Sequence, residues 1–163
     1  MRIAFVLLCL TVAACGFRLR GTTDVPFEAL YVPGAGSGIA LDLKRSIQAG
    51  TRARVVDDPK QADAILVFSE ESRDKQILSL TGTGRVREFQ LRYRVAFRVH
   101  DGKGSDYVPQ SAILLTRDVT FNDTDVLAKE AEEQLLFRDM QSDMVQQILR
   151  RIAAAQKPKP RVE

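Results

Sequence analysis

Regular alternation of apolar and polar side chains between residues 89 and 100 is the pattern that most restricts how this chain folds. The apolar positions hold Phe89, Leu91, Tyr93, Val95, Phe97 and Val99. The positions between them hold Gln90, Arg92, Arg94, Ala96, Arg98 and His100. A period of two residues places successive side chains on opposite faces of a β-strand. We therefore predict a long strand with an apolar core face and a basic face formed by Arg92, Arg94 and Arg98.

Neighbouring segments have the composition of strands that pair with this one. Residues 64–68 are a continuous apolar run that leads through a polar stretch to Leu80, which favours a central strand. Thr-Gly-Thr-Gly at residues 81–84 predicts the tip of a hairpin, because a short segment that contains glycine between two strand patterns marks a tight turn. Further strands are predicted at residues 29–32, 54–56 and 112–121, the last after a turn at 101–104.

Two other segments repeat apolar residues at helical spacing. The first contains Ile39, Leu43 and Ile47, between a cap candidate at Ser37 and a stop at Gly50. The second contains Leu127, Ala131, Leu135, Met140, Met144, Ile148 and Ile152. Two amphipathic helices need one apolar sheet face to cover. The predicted fold is therefore α+β, a two-layer sandwich with a mainly antiparallel sheet of about four strands and both helices packed on one face.

The start of the chain has the organisation of an export signal. Arg2 is followed by uncharged, mostly apolar residues at 3–12, too short a run to cross a bilayer as a helix. Small residues at positions 13 and 14 precede Cys15, and this ending resembles the lipobox of bacterial lipoproteins. We predict that residues 1–14 are removed and that Cys15 is the lipid-anchored first residue of the mature protein. The alternative is an ordinary signal peptide with a chance cysteine.

Residues after Cys15 refine this prediction. Gly16 stands where an aspartate is typical of lipoproteins retained in the inner membrane, so the outer membrane is favoured. Removal of the signal also removes Cys9, which leaves the mature chain one cysteine and no possible disulfide.

Residues 15–155 are long enough for a single domain with its own core. Prolines in the tail at 156–163 prevent a longer helix, and we predict that this tail is disordered.

Motifs for catalysis, metals and nucleotides are weak. Gly34, Gly36 and Gly38 lie between a strand and a helix, but the third glycine is one residue away from the spacing of a dinucleotide-binding motif. His100 has no second histidine beside it, which favours a solvated imidazole over a metal ligand. Net charge is only +3, with acidic and basic residues mixed, which disfavours nucleic-acid binding. We predict no enzymatic activity, no cofactor, no metal and no nucleic-acid partner.

Basic residues near the hairpin and the last helix are more informative. Arg85 and Arg87 follow the glycine-containing tip, and Lys129 lies in the first turns of the final helix. Guanidinium groups bind phosphate bidentately, lysine acts as a point charge, and glycine lets backbone approach a ligand closely. As a set with the basic strand face, these residues suit an anionic amphiphile. The alternative is that the charges only keep the sheet soluble.

Three stretches together resemble the LPS-assembly lipoprotein family LptE. They are Cys-Gly-Phe-Arg-Leu-Arg-Gly at residues 15–21, Glu-Phe-Gln-Leu at 88–91 and Leu-Ala-Lys-Glu at 127–130. The resemblance extends in order and length over the mature chain. It implies a non-enzymatic outer-membrane lipoprotein that sits inside a large β-barrel, the LptD-like subunit of the lipopolysaccharide (LPS) translocon. Such proteins assist assembly of the barrel and bind LPS for insertion in the outer leaflet.

The resemblance also implies roles for individual residues. Lys129 matches a family lysine associated with LPS binding. The basic residue expected in the hairpin falls near Gly82 here, so Arg85 and Arg87 are substitutes by proximity. A domain with a basic sheet face, tethered closely to the membrane, suits the polar interior of a barrel. The alternative is another outer-membrane lipoprotein, such as an assembly-machine accessory or a cell-wall enzyme.

Overall fold

Three long strands and two short ones form a single sheet in the computed structural model, which describes residues 23–121 and 126–157. The strands are β1 (Ala29–Tyr31), β2 (Arg54–Val56), β3 (Ala64–Leu80), β4 (Val86–His100) and β5 (Asp106–Thr120). The helices are α1 (Gly38–Gly50) and α2 (Val126–Ala153), with a short 3-10 helix at Pro59–Gln61. In space, the strands follow the order β2-β1-β3-β4-β5.

Pairing of the strands confirms the predicted α+β sandwich with a mainly antiparallel sheet. β3, β4 and β5 are joined by hairpins and pair antiparallel. β1 is parallel to both β2 and β3, because helical connections return the chain to the same end of the sheet. These two three-residue strands at one edge bring the sheet to five strands, where about four were predicted.

Alternating residues of β4 provide the centre of the core. Leu91, Tyr93, Val95, Phe97 and Val99 are fully buried, as the alternation predicts. Both helices cover this face of the sheet through side chains that are also buried, namely Ile39, Leu43 and Ile47 of α1 and Met140, Met144, Ile148 and Ile152 of α2. The opposite face carries the polar residues of β4, and we call it the open face.

The first half of α2 differs from the prediction. Leu127 and Leu135 are 83% and 52% exposed, and from residue 127 onward the first fully buried side chain of this helix is Met140. At about 100° per residue, the five-residue step from Leu135 to Met140 rotates the side-chain direction by about 140°. The two sets of apolar residues therefore lie on different sides of the helix. Only the set that begins at Met140 faces the sheet.

A β-bulge at Ser69 changes which residues of β3 face the helices. Phe68 pairs with Phe97 on the helix side, whereas Glu70 pairs with Ala96 on the open face. One extra residue in a strand shifts the alternation of its side chains by one position. Beyond the bulge, Arg73 and Lys75 therefore point to the helix side.

The described chain begins at the end of the sheet where β3 starts. Thr23 forms a parallel bridge with Thr51, and its N–H donates to the Gly50 carbonyl at 2.7 Å. We call this the proximal end, and the opposite end, with the β3–β4 tip and the end of β5, the distal end. The signal segment 1–14, Cys15, the motif at 15–21 and residues 158–163 of the tail lie outside the described residues.

Candidate ligand-binding surface at the distal end

The structure brings Arg85, Arg87 and Lys129 to the distal end of the sheet. The Arg87 carbonyl accepts the N–H of Phe121 at 2.9 Å, which joins the start of β4 to the end of β5. Arg85 lies beside the tip between β3 and β4, and Lys129 lies in the first turn of α2. The three cations come from separate segments of the sequence and share one end of the molecule.

Local hydrogen bonds define the tip of the β3–β4 hairpin. Thr81 donates its N–H to the Arg85 carbonyl at 2.7 Å, and Gly84 donates to the Thr81 carbonyl at 2.9 Å. The Thr81 hydroxyl also accepts the N–H of Arg85 at 3.1 Å. Gly84 has a φ of 80°, a conformation that favours glycine. The predicted tip is confirmed, and its backbone holds Arg85 at the edge of an exposed loop.

Large apolar side chains are exposed on the same elements, β3 and α2, at this end of the molecule. Ile77, Leu78 and Leu80 on β3 are each roughly half exposed, as is Leu135 on α2, whereas Leu127 is largely exposed. Among the described residues, Leu114 on β5 is the one further large apolar side chain with comparable exposure. Concentration of exposed apolar area beside positive charge is typical of an interaction surface. It fits a partner or ligand that is both apolar and anionic.

The three predicted cations differ in their electrostatic surroundings. Lys129 contacts Glu132 at 2.7 Å, and only 23% of its side chain is exposed. Arg85 and Arg87 are exposed. Solvent reaches this ion pair through Glu132, which is 46% exposed, so the pair contributes little free energy and the Lys129 ammonium group can exchange Glu132 for another anion.

Lys75 is a fourth cation at this end, and the sequence analysis did not find it. Its ammonium group contacts Glu133 of α2 at 2.6 Å and lies 4.3 Å from the centre of the Phe89 ring. Phe89 pairs with Ile77 on one side and with Val119 on the other, so these three residues form an apolar row across β3, β4 and β5. Lys75 faces the helices only because of the bulge at Ser69, which the sequence pattern does not reveal.

A polar seam joins the helices to the sheet next to this row. Arg73 donates to Gln141, which in turn donates to Asp42 of α1 at 2.5 Å. The hydroxyl of Tyr93 donates to Glu71 at 2.7 Å. Burial, together with this hydrogen bond, raises the pKa of Tyr93 well above its usual value. Tyr93 is therefore neutral at any physiological pH and fixes the position of the Glu71 carboxylate.

Arg92, Arg94 and Arg98 lie on the open face, but carboxylates from β3 balance two of them. Arg94 contacts Glu70 at 3.0 Å, and Arg92 lies 4.0 Å from Asp74. Arg98 is exposed and forms no ion pair with the described residues. The open face is thus polar with paired charges. It is much less basic than the sequence of β4 alone predicts.

Residues considered for other chemistry have structural roles. His100 accepts the N–H of Gly102 at 3.0 Å within the turn before β5. Asp57, which follows the glycine loop in the sequence, contacts Lys44 of α1 at 3.1 Å. Within residues 23–121 and 126–157, no group of three His, Cys, Asp or Glu side chains is arranged to hold a metal ion. In that same part of the chain, no helix is long and apolar enough to span a membrane.

A cavity of about 750 Å³ opens at the proximal end, away from the predicted cations. Phe27 and Tyr107 contact edge to face at its wall, with ring centres 5.4 Å apart. Burial raises the pKa of Tyr107, and the nearby carboxylates of Asp63 and Asp101 add to the effect. Both carboxylates already accept backbone N–H groups, Asp63 from Ala29 and Asp101 from Lys103. Asp101 therefore stabilises the turn before β5, whereas Asp63 connects the start of β3 to the start of β1.

Comparison with known proteins connects this fold and surface to one family. The family model described as LptE, lipopolysaccharide-assembly, matches residues 21–152. LPS-assembly lipoprotein LptE of Yersinia enterocolitica is 34% identical over 158 residues, which cover 93% of this chain and 75% of the relative. Its counterpart in Photorhabdus laumondii is 30% identical, and the match covers 90% of this chain and 81% of the relative.

Solved structures agree with this assignment. The solution structure of lipoprotein B from Nitrosomonas europaea has a TM-score of 0.73 and 47% identity, covering 85% of this chain and 91% of that one. The crystal structure of rare lipoprotein B from Shewanella oneidensis has a TM-score of 0.66 and 25% identity, and the match covers 77% of this chain and 92% of that one. The chain belongs to the LptE family of lipopolysaccharide-assembly lipoproteins, as the resemblance of its sequence predicted.

Proposed function

We propose that this protein is anchored to the periplasmic side of the outer membrane through an acylated Cys15. There it plugs an LptD-like β-barrel, assists assembly of that barrel, and binds LPS for insertion in the outer leaflet. It has no catalytic role. The observation that carries the proposal is the concentration of cations and exposed apolar side chains at the distal end. LPS is an amphiphile with both phosphate groups and acyl chains, so it matches both features of that end.

The direction of the chain supports this placement. Eight residue steps separate Cys15 from Thr23, which is at most about 28 Å of fully extended chain. Thr23 lies at the proximal end, so an anchor at Cys15 holds that end close to the membrane. β3 has 17 residues, about 56 Å at 3.3 Å per residue. The distal end therefore projects far from the anchor, along the direction in which a ligand crosses the barrel.

The open face of the sheet supports the barrel partner. Its paired charges, Arg94 with Glu70 and Arg92 with Asp74, present a polar surface with little net charge. The interior of a large outer-membrane barrel is polar, and a polar face on which Arg92 and Arg94 are already paired fits it at little desolvation cost. We expect the protein to co-purify with a large β-barrel from outer membranes solubilised in mild detergent. Recovery of the protein alone, with the barrel present in the same extract, would contradict the proposal.

Charge reversal at the distal end tests the LPS site. We expect Lys129→Asp combined with Arg85→Asp to lower LPS capture about tenfold at low salt, since an anionic ligand then meets repulsion in place of attraction. An aspartate in the first turn of α2 interacts favourably with the helix dipole, so the helix itself should persist. Capture is measured with purified LPS on the immobilised protein, with co-purification of the barrel as a second measurement.

Arg98→Asp is the control, because Arg98, like Arg85, is an exposed arginine but lies on the open face. It should leave LPS capture within about twofold of the wild type, and the double variant should still co-purify with the barrel. Equal capture by the double variant and the wild type, at both low and moderate salt, would reject the distal cations as the LPS site.

A further inference from the structure

Burial of α2 changes along its length. From Met140 onward, the helix places Met140, Met144, Val145, Ile148, Leu149 and Ile152 in the core. Within residues 127–139, the apolar side chains packed against the core are Leu136 and Phe137, and both are partly buried. The residues at 127–137 therefore make few apolar contacts with the sheet. A segment of this kind opens more easily than the rest of its helix.

Charges at the start of α2 also make this segment less stable. Its first turn contains no acidic residue, and it contains Lys129, whose charge opposes the partial positive charge of a helix N-terminus. Besides Leu136 and Phe137, an ion pair between Lys75 and Glu133 holds the segment down; their side chains are 35% and 26% exposed, and an ion pair that solvent still reaches contributes little. Leu127 and Leu135 point away from the core and lose nothing when the segment lifts.

The apolar row of Ile77, Phe89 and Val119 lies next to this segment, because Lys75 contacts both Glu133 and the Phe89 ring. Ile77 is more than half exposed, whereas Val119 is 8% exposed. The row is thus exposed to solvent at Ile77 of β3 and buried at Val119 of β5. Lys75, on the same face of β3, covers the Phe89 ring with its ammonium group while Glu133 holds it there. Lifting the first turns of α2 would uncover the row and free the Lys75 ammonium group in one movement.

We propose that residues 127–137 of α2 form a lid over the row Ile77, Phe89 and Val119, and that Lys75 is a ligand-binding residue. The lid lifts to seat an acyl chain of an anionic amphiphile on the row, and Lys75 exchanges the Glu133 carboxylate for a phosphate of the ligand. This inference rests on the proposed binding of LPS and adds how the acyl chains reach the protein. The exchange replaces one anion with another, so the Lys75 charge is paired both before the lid lifts and after the ligand has bound.

Cross-linking tests the lid in the full mature chain. Lys75→Cys with Glu133→Cys, joined by a cleavable bismaleimide, ties the lid to the sheet. Arg117→Cys with Asp143→Cys is the matched control, because this pair, in contact at 2.8 Å, joins β5 to the part of α2 beyond the lid. We expect the first cross-link to lower binding of LPS and of dodecyl phosphate at least tenfold relative to the same variant after reductive cleavage. The control cross-link should change binding less than twofold.

Hydrogen exchange provides a measurement that needs no ligand. Glu133→Gln removes the charge that holds Lys75, so we expect amide exchange at 127–137 to become at least fivefold faster. Exchange at 140–152 should stay within twofold of the wild type. Lys75→Gln should weaken dodecyl phosphate binding at least fivefold, and inorganic phosphate should not compete, because it lacks the acyl chain that the row binds.

The outcomes separate the lid from the proposed function. If dodecyl phosphate binding to the Lys75→Cys, Glu133→Cys variant responds to the cross-link as expected but the wild type captures no LPS, the lid is supported and the LPS proposal is wrong. If the wild type captures LPS and the Lys75→Cys, Glu133→Cys variant captures it equally well with and without the cross-link, the lid is wrong and LPS binding is retained. Uniform acceleration of exchange over the whole of α2 in Glu133→Gln would also overturn the lid.

Discussion

Replacing Cys15 by serine is expected to abolish incorporation of radiolabelled palmitate into this protein. The thiol of Cys15 is the proposed acceptor of the acyl group, and serine offers no sulfur in its place. Acyl chains contribute roughly 0.8 kcal/mol per buried methylene, so loss of the lipid removes the main attraction of the mature chain for the bilayer. Labelling of whole cells, followed by capture of the protein and measurement of its radioactivity, gives the result directly.

Cys9→Ser provides the control that matches this substitution. Cys9 is the other cysteine of the sequence and lies in the segment that we predict is removed. Palmitate incorporation should be unchanged in Cys9→Ser and at least tenfold lower in Cys15→Ser. Retained label in Cys15→Ser would show that the anchor lies elsewhere, and the orientation proposed for the distal end would lose its basis.

The sequence predicted the parts of the fold in which one regular pattern extends over a whole element. Alternation in β4 correctly assigned Leu91, Tyr93 and Phe97 to the core. The helical repeat from Met140 onward correctly assigned the second half of α2. In both elements, the geometry of one strand or helix decides which side chains meet the core, so the period of the pattern is sufficient.

Errors arose where a pattern changes phase within an element. In α2, the five-residue step after Leu135 places the earlier leucines on the solvent side, where Leu127 is exposed. In β3, the bulge at Ser69 moves Lys75 to the helix side. A bulge adds a residue without any characteristic composition, so the strand on each side looks regular by itself. Lys75 was therefore missed as a site residue.

The pairing of the β4 arginines with carboxylates could not be predicted from the sequence of β4 alone. β4 alone predicts a basic face, because Arg92 and Arg94 alternate with apolar residues. Their balance comes from Asp74, which pairs with Arg92, and from Glu70, which pairs with Ala96 and reaches Arg94 diagonally, so both contacts depend on the register of β3. Register is set by the whole hairpin and by its bulges. By contrast, the order of the elements sufficed to predict that Lys129 starts a helix near the end of a strand.

Met144→Ala is expected to lower the free energy of unfolding by about 2–5 kcal/mol, because it removes most of a fully buried side chain and leaves a cavity. Met144 is 0% exposed and lies in the core with side chains of α1 and β4. Leu135→Ala changes a large apolar side chain to alanine in the same helix, yet we expect it to change the free energy of unfolding by no more than about 0.5 kcal/mol. Urea unfolding of both variants, followed by circular dichroism, measures the two free energies.

Comparing the stabilities of Leu135→Ala and Met144→Ala tests whether the apolar residues of α2 change sides of the helix after Leu135. If the apolar repeat of the sequence ran along one face of the helix, Leu135→Ala and Met144→Ala would destabilise the protein to a similar extent. A large effect for Met144→Ala alone places Leu135 on the solvent side, where it is 52% exposed. Similar slopes of free energy against urea in both variants would show that the unfolded states are comparable. A destabilisation above 2 kcal/mol in Leu135→Ala would mean that the first half of α2 is packed as tightly as the second, and residues 127–137 would then be unsuited to act as a lid.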